Sequence, residues 1–149
     1  MMDVLSLIWG YKTTALLDVW SIEHVLSGIS VGHIVKKRHH TVFRRILGRD
    51  HDVHCWHFNL VAVLCVGYAW EAIEHYLETG LLGFRVEYWF QGVEFWGNRL
   101  LTDPLMLVVG YVIAKRYPRL ILPARITSCI WLFVHVFLFP HSMYLQQFI

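Results

Sequence analysis

Long apolar runs broken by short polar clusters dominate the chain, and their lengths predict helices rather than strands. Four runs approach the ~20 apolar residues needed to cross a ~30 Å hydrocarbon core. They cover about 13–35, 57–77, 100–114 and 120–139, with the third short enough to need its flanks. The expected fold is therefore all-α: a polytopic membrane protein, one integral domain over 1–149, built as a bundle of four transmembrane helices. Met2–Gly10 is too short to span and belongs at the interface. It has no Lys or Arg before its apolar run, unlike a cleaved signal peptide. Pro104, Pro118 and Pro123 fall near helix starts, where a first-turn proline loses little.

Charge orients the bundle. Ten basic residues (Lys36, Lys37, Arg38, Arg44, Arg45, Arg49, Lys115, Arg116, Arg119 and Arg125) flank one side, against Lys12, Arg85 and Arg99 on the other. The positive-inside rule then places 36–56 and 115–119 in the cytoplasm and both termini outside. Residues 78–97 mix Arg85 and Glu87 with Tyr88, Trp89, Phe90, Phe95 and Trp96, a composition suited to an external loop at headgroup level. Cys55, Cys65 and Cys129 have no external position, so free thiols are expected.

The composition agrees: 56% hydrophobic, 16% charged, net charge +2 and mean hydropathy +0.46. A soluble domain averages about 25% charged residues. Disorder, a coiled coil and an ordinary soluble enzyme are excluded, and the net charge gives no argument for nucleic acid. Membrane lipid is the expected partner, with other membrane subunits or a second copy as further possibilities.

Ionisable residues inside a span are costly and default to functional candidates. Asp18, Glu23, His24 and His33 fall in the first span, Glu71, Glu74, His75 and Glu78 in the second, Asp103 in the third and His135 in the fourth. With a rise of 1.5 Å per residue, the acidic groups gather in the external leaflet and His24 lies near the midplane. Glu71, Glu74, His75 and Glu78 follow i, i+3, i+4, i+7 spacing and share a face. Ser21, His24 and Gly28 share a face of the first helix, and Gly28/Gly32 form a small-xxx-small seam.

Three chemistries remain open for this stripe. Glu71, Glu74, His75 and His24 are candidate ligands for a divalent metal such as iron, zinc or manganese. Glu71, Glu74, His24 and Asp103 are candidate catalytic groups, a carboxylate pair supplying acid and base. A proton relay is the third. Arg85 and Arg99 are candidates to hold an anionic headgroup. A structural reading stands beside these, with Glu78 and His75 as a solvated helix end, His135 as a packing residue, and Glu71 and Asp103 in a buried hydrogen-bond network.

The loop containing His39, His40, His51, His54 and His57, with Asp50, Asp52 and Cys55, is dense in metal-ligating types. It lacks the second region that the histidine boxes of membrane desaturases require, and reads as a basic surface facing anionic headgroups. His33 and His57 form a candidate haem pair.

His24 and Gly28, then Ala69-Trp70-Glu71-Ala72-Ile73-Glu74, then Gly97-Asn98 leading to Asp103 and Gly110, together resemble a family of small bacterial inner-membrane proteins, VanZ-like in layout. The resemblance covers about 18–114 and implies that His24, Glu71, Glu74 and Asp103 belong to one site. Two departures occur: His75 stands where the pattern has Asn, and the Asn98–Asp103 interval is one residue longer. The leading expectation is an enzyme or binding protein for a lipid-like substrate, possible with or without metal. The alternatives are an accessory subunit of a larger membrane complex, supported by the Gly28/Gly32 seam, and a small proton or metal-ion carrier.

Overall fold

The computed structural model describes residues 4–47 and 56–148. The fold is all-α: among the described residues there is no β-strand, only an isolated parallel bridge between Trp9 and Leu17. The helices are α1 (Val4–Ile8), α2 (Val19–Leu47), α3 (Trp56–Glu78), α4 (Phe84–Phe90), α5 (Asp103–Arg116) and α6 (Ile121–Phe137). A π-helical turn, Asn98–Thr102, leads directly into α5, and a 3-10 turn, Pro118–Leu120, leads into α6.

Two helices are long and apolar enough to cross a membrane, Trp56–Glu78 and Pro118–Phe137. The other two expected spans are changed in outline. α2 begins at Val19, not near Thr13, because Asp18 caps it: its Oδ1 accepts from the Trp20 amide at 2.7 Å and the Ser21 amide at 3.2 Å, while Ser21 Oγ accepts from the Asp18 amide. The 11–18 segment instead folds back on α1, with Leu16 and Leu17 amides donating to Leu7 and Ile8 carbonyls. α5 has only 14 residues, about 21 Å at 1.5 Å per residue.

α2 and α5 form the central pair, crossing where two glycines meet. A Cβ on Gly28 would lie 2.2 Å from the Leu107 carbonyl oxygen, and one on Gly110 would lie 2.2 Å from that of Val25. Gly32 faces Tyr111 in the same way. The small-residue seam is thus filled by α5 of the same chain, and the subunit reading loses the support it drew from it.

α6 buries Ala124, Ser128 and His135, and α3 buries Asn59, Val63, Gly67, Glu71 and Glu78. Two small apolar clusters result, Ile29 with Ala114 and Ala124, and Val63 with Leu107 and Tyr111. Otherwise the usual distribution is inverted. Lys12, Asp18, Glu23, His24, Glu71, Glu78, Asn98 and Asp103 are buried, while Trp70, Ile73, Tyr76, Leu122, Ile130, Phe133 and Phe137 are exposed. Cys65 and Cys129 are free thiols on exposed positions. Cys55, like Asp50, His51, Asp52 and His54, lies outside the described residues.

Candidate metal and carboxylate centre

One end of the bundle collects the polar groups. There α2 and α5 begin, α3 ends, and the 10–18 and 79–98 segments close over the top. Phe95 donates its amide to the Lys12 carbonyl at 2.8 Å, joining the two segments.

At the centre, one turn from the Gly28–Leu107 contact, His24 faces Asp103 and Glu71. His24 Nε2 lies 3.1 Å from Asp103 Oδ2 and 3.8 Å from Glu71 Oε1. The ligand atoms of the three residues all lie within 4.8 Å of one another, and all three residues are buried. Ser21 Oγ donates to Asp103 Oδ1 at 3.2 Å. Glu71 Oε2 is buried without a hydrogen-bond donor, an expensive state for a carboxylate oxygen, and Asp103 Oδ2 faces only the His24 ring nitrogen. The π-helical turn fixes Asp103 here: its amide donates to the Asn98 carbonyl, five residues back. Single π-turns of this kind recur at functional sites.

A second layer lies above. Arg99, buried in the π-turn, binds Glu78 at 2.5 Å, Glu94 at 3.2 Å and the His75 ring at 3.2 Å, and its Nε sits 3.8 Å from Glu71. Lys12 pairs with Glu78 and lies 4.8 Å above the Phe90 ring. Asn98 donates to Glu94 Oε1 at 2.9 Å and reaches Asp18 Oδ2 at 3.5 Å. Burial pushes the Glu94 carboxyl well above the usual carboxylate range; the charges of Asp103, Glu74 and Glu71 add to the rise and Arg99 opposes it.

Several expected roles change. Arg99, expected to meet an anionic headgroup, is buried and engaged by Glu78 and Glu94 of its own chain. His75 is exposed and turned toward Arg99, outside the His24–Glu71–Asp103 cluster. Glu74 is half-buried and lines a cavity with His24. Glu78 is not a solvated helix end but the most heavily paired carboxylate of the site. Glu23 accepts from Ser27 at 2.7 Å and Ser128 at 2.6 Å. His135 is packed among Trp20, Trp131 and Phe139, its Nδ1 against the Trp131 carbonyl.

Sequence reasoning gave Lys12 and Glu94 no place in the site, and Asn98 entered only through the resemblance. All three come from non-helical or π-helical segments, where periodicity gives no face to read. His33 borders a separate cavity of about 320 Å³ with Lys36, Lys37, Tyr111 and Lys115, and His57, the other half of the candidate haem pair, is not among its lining residues.

No family model, curated protein or solved structure matches this chain. The structure juxtaposes His24 with Glu71 and Asp103, and Gly28 with Gly110.

Proposed function

We propose that this chain is an integral membrane protein of four spans, with a divalent metal ion held by His24, Glu71 and Asp103 in the external leaflet. The observation that carries the metal reading is the convergence of three buried ligand atoms, with Glu71 Oε2 lacking a hydrogen-bond donor and Asp103 Oδ2 facing only the His24 ring. One imidazole and two carboxylates suit zinc, iron or manganese. Three protein ligands leave coordination positions for water or substrate, the arrangement of a Lewis-acid or water-activating centre. Charge argues the same way. Asp18, Glu23, Glu71, Glu74, Glu78 and Asp103 gather around Lys12, Arg99 and His24, more carboxyl groups than basic ones, and a cation offsets the difference.

The membrane reading is supported by the inverted surface, apolar outside and charged within, and by the two helices of spanning length. α5 reaches span length with its π-turn, and α2 spans between Val19 and the lysines at 36 and 37. The Gly28 crossing then marks the midplane, and His24 lies about 6 Å from it on the external side. An enzyme or binding protein for an amphiphile, in a bacterial inner membrane, remains the leading function.

Two experiments test this reading. Titrating zinc, manganese or iron(II) into chelator-treated protein should raise its unfolding temperature, since a ligand at 100 times its Kd adds about 2.7 kcal/mol. Glu71→Gln should abolish that response while the apoprotein still folds; an equal response in Glu71→Gln refutes the assignment. In a chain freed of native cysteines, Leu82→Cys should react with an impermeant maleimide on intact cells, and Lys37→Cys only after permeabilisation. The reverse pattern refutes the orientation.

A further inference from the structure

Beside the polar centre runs a groove bordered by α2, α3, α4 and α6. Its upper part, about 410 Å³, is lined by Trp20, Trp70, Glu74, Arg85 and Trp89 among others. Its lower part, about 180 Å³, is lined by Val31, Val66, Gly67, Leu107 and Leu132. The two share Glu23, His24, Trp70 and Leu132 and therefore adjoin. From Trp20 to Val31 on α2 the groove runs about 16 Å at 1.5 Å per residue, close to one leaflet of a ~30 Å hydrocarbon core.

Its polarity is graded along that length. Arg85, exposed on α4 at the closed-over end, makes no ion pair among the described residues. Arg85, Val86 and Trp89 present one face of α4 to the groove. Glu74, Glu23 and His24 come next, then Ser27, and beyond them Val31, Val66, Leu107 and Leu132 make the walls aliphatic. The upper wall is held rigidly, because the Trp20 indole donates to the Ser142 carbonyl at 3.0 Å and that of Trp89 to the His135 carbonyl at 3.0 Å.

Charge, then ester-level polarity, then hydrocarbon is the order of groups in a glycerophospholipid. We infer that this groove binds a glycerophospholipid of the outer leaflet, with its phosphate at Arg85, its glycerol ester region beside His24 and one acyl chain in the lower cavity. The inference rests on the membrane reading and deepens it by naming the lipid class presented to the metal centre. A guanidinium is the side chain best matched to a phosphate, and this one is the unpaired cation of the groove. His24 lines both cavities and also belongs to the ligand cluster, so the ester region of the bound lipid faces that cluster.

Native mass spectrometry of the detergent-purified protein tests this, using phosphatidylglycerol and diacylglycerol of matched chains as probes. Phosphatidylglycerol should bind at one per chain and at least about tenfold more tightly than diacylglycerol, the value expected of one charge-assisted contact. Arg85→Gln should lower phosphatidylglycerol binding to the diacylglycerol level. Val66→Trp, which fills the lower cavity from an exposed position, should weaken both. Equal affinity for the two lipids, or unchanged binding in Arg85→Gln, overturns the inference; so does tight binding of inorganic phosphate in place of lipid. Both variants should keep the wild-type thermal response to metal. A wild type that responds to metal but does not discriminate between the two lipids refutes the lipid site alone, while a wild type that binds lipid without any metal response refutes the metal centre alone.

Discussion

Gly110→Ala is a severe test of how the centre is held together, because the added methyl has no free volume. Its Cβ would fall 2.2 Å from the Val25 carbonyl oxygen and 2.8 Å from the Gly28 Cα, both backbone atoms that no rotamer change can move. Ordinary contact begins near 3.4 Å, so α2 and α5 must part by about 1 Å. Overpacking of this kind costs about 1–3 kcal/mol. The separation also acts on the centre, since His24 and Asp103 come from these two helices and lie 3.1 Å apart. Unfolding of the purified protein, followed by circular dichroism against denaturing detergent, should show the loss. Metal affinity of the folded fraction should fall with it. Gly80→Ala is the contrasting control, since Gly80 has φ +91 but lies at the loop following α3; it should affect stability with little effect on metal affinity. Wild-type stability and wild-type metal affinity in Gly110→Ala would refute the reasoning, because the crossing would then not be as close as described.

Other outcomes follow from the upper layer. Lys12→Met leaves Glu78 dependent on Arg99 and should destabilise by less than the ~3–5 kcal/mol of a buried charge left wholly unpaired. The double variant Lys12→Met/Glu78→Leu should cost less than the sum of the singles, and additivity would contradict the pairing. Glu94 gives a pH dependence of defined sign. Its folded-state pKa is raised, so the folded chain holds a proton that the unfolded chain releases above the ordinary carboxylate range. Stability should therefore be greatest at low pH and fall as pH rises above that range, by at most about 1.4 kcal/mol per pH unit for one group. Glu94→Gln should flatten this slope, and an unchanged slope would assign it to another group. Ser128→Ala removes a donor at 2.6 Å from Glu23 and should destabilise by about 1–3 kcal/mol in the same unfolding assay; no loss would mean that the bond does not form.

The sequence carried the helical class and the glycine seam, which depend on apolar runs and spacing within one helix, and it placed His24, Glu71 and Asp103 at one depth, but in a wider set that also held Glu74 and His75. It did not carry the partner of the seam, which is α5, since nothing in Gly28 or Gly32 distinguishes an internal neighbour from an external one. The cap at Asp18 was readable in principle: an Asp followed three residues later by Ser at a helix start satisfies two amides. The apolar count extended the first span past it. Arg99 and Glu78 were read by their position at the ends of spans, where charge normally meets water. Folding of 79–98 back over the bundle, anchored by Phe95 on Lys12, removes that water and turns both into internal partners. Composition cannot announce such a closure, since a headgroup-level loop and a cap that folds inward use the same aromatic and charged residues.

The central claim is that His24, Glu71 and Asp103 hold a divalent metal, and elemental analysis by mass spectrometry of the purified protein tests it most directly. Near-stoichiometric zinc, manganese or iron is expected in the wild type and should be lost in both Glu71→Ala and Asp103→Asn, each still folded by circular dichroism. Metal retained in both folded variants would place the ion elsewhere, and a metal-free wild type that also fails to bind added metal would contradict the account and leave the cluster as a proton-handling network.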